Sequence, residues 1–113
     1  MVRSKRLKPI RKMAQSHEKQ AAQVLGKSLQ AQSEQTQKLA QLQQYKNEYL
    51  EEMQTKVKLG VSGESLQRYH LFLDKLDQAI GQQQQAVLQS EQELNVSQGR
   101  WQEKSSRHKV ISK

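Results

Sequence analysis

Residues 66–101 read LQRYHLFLDKLDQAIGQQQQAVLQSEQELNVSQGRW. Every seventh position of this stretch is apolar: Leu66, Leu73, Ile80, Val87, Leu94 and Trp101. The positions interleaved at 3-then-4 spacing are Tyr69, Leu76, Gln83, Ser90 and Ser97. A straight α-helix repeats near 3.6 residues per turn, so a strict seven-residue stripe stays against a partner only when the helices supercoil. The stretch predicts a coiled-coil seam. A chain built around such a seam is suited to holding or reaching a partner, and poorly suited to chemistry by its own side chains.

Working toward the N-terminus, one segment interrupts the pattern. Gly60-Val61-Ser62-Gly63 has two glycines, which adopt backbone angles a helix does not use. Gly60 suits the C-terminal cap of a first helix, and Ser62 the N-cap of a second, with Glu64 in its first turn facing the positive end of the helix dipole. The single proline, Pro9, marks the other boundary, because proline is tolerated in a first helical turn. The predicted organisation is one domain: residues 1–9 basic and flexible, helix one from about 10 to 59, a turn at 60–63, and helix two from about 64 to 113.

Helix one carries a weaker seam of Ala14, Ala21, Val24, Ser28, Ala31, Gln35, Leu42 and Tyr49, with Leu25 and Leu39 beside it. A short loop between two such helices favours antiparallel packing. If the chain reverses at Val61, Leu42 falls against Ile80, Tyr49 against Leu73, Gln35 against Val87, Ser28 against Leu94 and Ala21 against Trp101. Seam meets seam at every layer. The expected fold class is all-α, an antiparallel two-helix coiled-coil hairpin. The polar layers around Gln35, Gln83 and Ser90 either fix register or are simply weak.

Composition agrees. The chain has 113 residues, of which 34% are apolar and 4% aromatic. Its mean hydropathy is -0.99. That is too little for a globular core and enough for a narrow seam. Glutamine, roughly one residue in five, is a good helix former that suits exposed helical faces. With no cysteine, disulfides and thiolate metal sites are excluded. No apolar run approaches the roughly 20 residues that span a bilayer, and the basic N-terminus lacks the apolar stretch of a secretory signal.

Charge is uneven. The formal net charge is +8. Arg3, Lys5, Arg6, Lys8, Arg11 and Lys12 precede any acid, while Arg100, Lys104, Arg107, Lys109 and Lys113 crowd the other terminus. A hairpin brings these clusters side by side. Glu48, Glu51, Glu52, Glu64, Asp74 and Asp77 lie toward the turn. A field of one sign steers its end of the chain toward an acidic partner or a polyanion. Nucleic acid is the obvious polyanion, but no base-stacking aromatics accompany the basic residues, and basic-region zippers are parallel dimers. Near the turn, Tyr45, Phe72 and Ala79 widen the stripe formed by Leu42, Tyr49 and Leu76 beyond what a two-helix seam needs. Extra apolar and aromatic surface is what partner docking uses, and local stiffening of the hairpin is the competing explanation.

Enzyme chemistry finds no footing. His17, His70 and His108 are far apart in sequence, and His17 with His108 at one end, lacking a carboxylate, makes a poor metal site. The Gly-Val-Ser-Gly turn lacks the spacing and lysine of a phosphate loop. Two paired helices offer no catalytic pocket. The expectation is a non-enzyme with no cofactor and no metal.

Tyr45-Lys46-Asn47-Glu48-Tyr49, the turn at 60–63, and Tyr69-x-x-Phe72-x-x-x-Leu76-x-x-Ala79-Ile80-x-Gln82-Gln83 resemble the FliJ family of the bacterial flagellar export apparatus. Ala21-Ala22, Leu25-Gly26 and Trp101 fit as well, and the resemblance covers roughly residues 14–104. Family members commonly run on past the length of this chain. The resemblance implies a stalk-like antiparallel coiled coil, located in the cytoplasm and peripheral at the inner membrane. It would insert in the hexameric export ATPase, link it to the membrane export gate and escort export chaperones. It also implies that Leu42, Tyr45, Tyr49, Phe72, Leu76 and Ala79 form the patch that meets the gate. Two further patch positions carry Lys38, a charge where the family often has an amide, and Gln83. The basic residues Arg3, Lys5, Arg6, Arg11, Lys12, Arg100, Arg107 and Lys109 are then the candidates for the ATPase ring. The alternatives are the equivalent stalk of a virulence secretion system and a basic nucleic-acid-binding adaptor.

Overall fold

The structure, a computed structural model, describes the backbone of residues 2–112 and the side chains of residues 7–111. Two helices account for it: α1, Val2–Leu59, and α2, Gly63–Ser112. The chain is all-α, an antiparallel two-helix coiled-coil hairpin.

The turn follows the chemistry of its residues. Gly60 has φ 92°, a left-handed angle that costs roughly 1–2 kcal/mol for a residue with a Cβ, and its amide donates to the Val57 carbonyl at 3.1 Å. Ser62 is the N-cap of α2: its Oγ accepts from the Ser65 amide at 3.1 Å. Its carbonyl takes the first helical bond, from the Leu66 amide at 3.0 Å. Glu64 lies in the first turn, as expected. Replacing Ser62 with alanine therefore removes a cap, and thermal unfolding should report a loss of about 1 kcal/mol, restored by Ser62→Asp.

The start of α1 differs from the expectation. The helix begins at Val2 rather than near Ile10, so Pro9 lies inside it. Proline there removes one intrahelical bond and crowds the carbonyl four residues earlier. Helix propagation adds a bond for each further residue, so the loss of one donor weakens the helix locally without ending it.

The chain divides into two compact units. In the terminal unit, α1 through Gln32 pairs with α2 from Ser90 onward; the turn unit is Ser33–Gln89. The α2 seam positions from Leu66 to Trp101 are half-buried or buried without a slip, as the heptad predicts. The α1 seam needs correcting. Val24, expected in the seam, is 49% exposed, whereas Leu25 and Leu39, expected beside it, turn inward. One inward set is Ala14, Ala21, Ser28, Gln35, Leu42 and Tyr49; the second lies four residues after each, at Glu18, Leu25, Gln32, Leu39, Lys46 and Met53. Polar Glu18, Gln32 and Lys46 interrupt that second set, so hydrophobic spacing alone misses it.

The polar seam residues meet across the helices. In the terminal unit, the Ser28 and Ser97 hydroxyls are 2.8 Å apart, and His108 Nδ1 pairs with the Glu18 carboxylate. In the turn unit, Gln83 Nε2 donates to Gln35 Oε1 at 2.8 Å and to the Gln35 carbonyl at 2.9 Å. Lys46 and Asp77 form an ion pair at 2.5 Å. Each pair lies within about one helical turn of the register symmetric about Val61. The bonds of Ser28 and Gln35 go to the seam positions adjacent to the Leu94 and Val87 expected, Ser97 after the one and Gln83 before the other, because a knob in a coiled coil touches the residues flanking its hole. Among the described residues no buried side-chain nitrogen or oxygen lacks a partner. A slip of one heptad would part every one of these pairs, which favours the register-fixing role over weak layers.

The Ser28–Ser97 contact provides a direct check of chain direction. Two Oγ atoms 2.8 Å apart place the Cβ atoms near disulfide reach. Ser28→Cys with Ser97→Cys should close a disulfide within one chain under mild oxidation at high dilution. Exclusively intermolecular products on a non-reducing gel would contradict the antiparallel hairpin.

Candidate docking surfaces

The turn unit gathers four aromatic rings. The i, i+4 spacing of Tyr45 and Tyr49 on α1, and the i, i+3 spacing of Tyr69 and Phe72 on α2, put each pair on one helical face. Antiparallel pairing then brings the two faces together. Tyr49 and Phe72 have ring centroids 4.6 Å apart, Tyr49 and Tyr69 5.4 Å, and Tyr45 meets Phe72 edge-on at 6.1 Å and 78°. The first two pairs are tilted and the third is edge-on, all with centroids within the range over which aromatic rings attract.

The six residues expected to form one patch do not share one environment. Tyr45 and Phe72 are exposed, at 48% and 37%. Leu42 and Tyr49 are half-buried in the α1 seam, and Ala79 is half-buried beside the α2 seam. Leu76, at 5%, is buried in the seam itself. The accessible face is thus Tyr45 with Phe72, backed by Tyr49. Tyr69 was missing from the expected patch; its ring contact with Tyr49 was readable only once the helices were paired. Leu71, beside Phe72 in sequence, is also exposed.

Burial, then the neighbouring Tyr69, Glu52 and Tyr45, push the Tyr49 phenol above its usual range, and Lys56 opposes them. Hydrogen bonding to Tyr69 and Glu52 raises Lys56 in turn. Lys56 Nζ sits over the Tyr69 ring, 5.6 Å from its centroid, and 3.2 Å from Glu52.

The terminal unit gathers cations. Arg11 and Lys12 on α1, and Arg100, Arg107 and Lys109 on α2, all have exposed side chains. Arg3, Lys5 and Arg6 lie outside the residues whose side chains are described. The α2 cluster is less purely basic than its cations suggest: Arg107 pairs with Glu103 one turn earlier at 2.7 Å. Exposed pairs of this kind contribute little stability. Glu18 supplies the carboxylate that the two histidines appeared to lack, and it pairs with His108 while His17 remains exposed. Among the described residues no group of three His, Asp or Glu side chains could hold a metal ion. No helix among them is long and apolar enough to cross a membrane.

A shallow groove also runs along the terminal unit. Two hollows of about 310 and 230 Å³ share His17 and Lys104. The first is lined by Ala21, Val24 and Arg100 among others, the second by Ile10, Met13 and Arg107. Sequence reasoning missed this surface because it assigned Val24 to the seam. The available signal was the apolar spacing Ile10, Met13, Ala14, Ala21, Val24, too wide for a two-helix contact.

A family model described as "Flagellar FliJ protein" matches residues 4–113. The chain is also similar to the flagellar FliJ protein of Escherichia coli (strain K12), with 26% identity over 101 residues. That alignment covers 89% of this chain and 69% of the relative. No solved structure matches the chain.

Proposed function

The chain belongs to the flagellar FliJ protein family and on that membership is a component of the flagellar export apparatus; we propose that within it the hairpin acts as a non-catalytic stalk. The terminal unit engages the export ATPase hexamer, and the turn unit meets the membrane export gate. Empty export chaperones are a third class of partner. The protein works in the cytoplasm at the inner face of the membrane, in support of motility.

The observation that carries this reading is the separation of surface chemistry between the two units. Exposed Arg11, Lys12, Arg100 and Lys109 belong to one, and the accessible Tyr45–Phe72 face belongs to the other. Exposed cations act mainly by speeding encounter with an acidic partner, whereas aromatic side chains anchor a contact once made. Two such surfaces on one chain suit a protein that joins two partners. No step of chemistry is asked of the chain.

The test is stimulation of the ATPase by the whole chain. Neutralising Arg11, Lys12, Arg100 and Lys109 together to glutamine should slow association with the hexamer by about tenfold and flatten its dependence on salt. The same variant should bind the gate as the parent does. Unchanged stimulation with an unchanged salt response would reduce the cluster to a solubility feature and overturn this part of the reading.

A further inference from the structure

We propose that the groove of the terminal unit is a docking cleft for an acidic amphipathic helix of a partner protein. Its floor is an apolar stripe on α1. Ile10, Met13 and Val24 are 46%, 58% and 49% exposed, and the inward seam uses none of them. They stand at i, i+3 and i+14 on one helical face, with His17 at i+7 and Ala21 at i+11 between them. From Ile10 to Val24 the stripe extends about 20 Å at 1.5 Å per residue, which a partner helix of about four turns would cover. The two hollows share His17 and Lys104, so the groove is continuous.

The wall on α2 supplies the second half of the argument. Arg100, Lys104 and Arg107 follow i, i+4, i+7 and all line the groove. Only Arg107 among them has an acidic partner among the described residues. Their aliphatic stems can extend the apolar floor while the charged heads stay at the edge. An apolar floor with a cationic wall is complementary to a helix that has leucine-like residues on one face and Asp or Glu beside them. A second copy of the terminal unit would set cation against cation. A simple polyanion would make no use of the floor. The proposal goes beyond the ATPase reading and does not depend on it, since it can be tested without any ATPase.

The probe is a synthetic 18-residue amphipathic peptide with leucines at seam spacing and flanking glutamates, titrated into the ¹⁵N-labelled full chain. Amide shifts should change around Ile10, Met13, His17, Val24 and Lys104, and not in the turn unit. Val24→Glu, and separately Met13→Glu, should weaken binding at least tenfold. Both sites are exposed, and circular dichroism checks that the helices persist. Leu88→Glu, an exposed apolar site outside the groove, should leave binding within twofold. A lysine-flanked peptide of the same pattern should bind at least tenfold more weakly than the glutamate-flanked one. The proposal is overturned if the lysine peptide binds as well, if a glutamate peptide without leucines binds as well, or if no shifts appear. It is also overturned if sedimentation shows the free chain self-associating through a surface that Met13→Glu disrupts, because the occupant would then be a second copy.

Discussion

Replacing Leu76 with alanine should lower the stability of the hairpin by about 2–3 kcal/mol, near the bottom of the range for buried leucines. Leu76 is the single apolar side chain among the described residues that is almost wholly withdrawn from solvent, at 5% exposed. In a two-helix pair each helix covers one face of the other, so few side chains are fully enclosed, and losing one removes a large share of the burial nearby. The magnitude sits low because water can reach a hole made in so thin a structure. Urea unfolding of the whole chain measures it, with Leu71→Ala as a control. Leu71 is 59% exposed, and its truncation should stay within about 0.5 kcal/mol. The same variant separates the two roles offered for Leu76. If its gate affinity is unchanged well below the melting range, Leu76 serves the seam; a selective loss of affinity would return it to the docking face.

Phe72→Ala should weaken binding to the export gate by about 2 kcal/mol or more, the size of loss expected for an aromatic anchor. The variant also carries a folding cost. Phe72 contacts Tyr49 at 4.6 Å and Tyr45 at 6.1 Å, and such pairs contribute about 0.5–1.5 kcal/mol each. The residues flanking Phe72 in sequence give no hint of this cost, because both tyrosines lie on the other helix. Affinity must therefore be measured far below the melting range, and Tyr45→Ala is the cleaner companion, since Tyr45 is the more exposed of the two. Stability that falls in both variants while gate affinity holds would make the ring cluster a stiffener of the turn unit and refute the docking face.

Leu76 and Phe72 differ in how far the sequence alone determines their roles. That Leu76 belongs to the seam follows from its place in the heptad of α2. That Phe72 is both exposed and braced by two tyrosines does not, because position beside a seam says nothing about which ring on the partner helix comes into reach. The same difference separates the two helices. The α2 stripe is apolar at every seventh position, so its inward face is legible residue by residue. The α1 stripe is broken by Glu18, Gln32 and Lys46, and the opposing helix supplies His108 for Glu18 and Asp77 for Lys46. Reading hydrophobicity alone placed Val24 in the seam and Leu25 beside it, whereas the paired helices leave Val24 exposed and turn Leu25 inward.

What the sequence determined by itself is the local and periodic part. The seven-residue repeat requires a coiled coil, Gly60 and Ser62 require the helices to stop and restart where they do, and the surplus of cations at both termini requires a basic terminal unit. Each follows from backbone sterics, capping or charge, which act over a few residues or at any distance. Tertiary structure alone decided which polar residues pair across the seam, which of the turn-proximal residues remain accessible, and that an apolar floor and a cationic wall line one groove. Those outcomes depend on the rotation of one helix against the other. A shift of about 100° carries a side chain to the next position on the helix, and the broken stripe of α1 does not set its rotation to better than one residue.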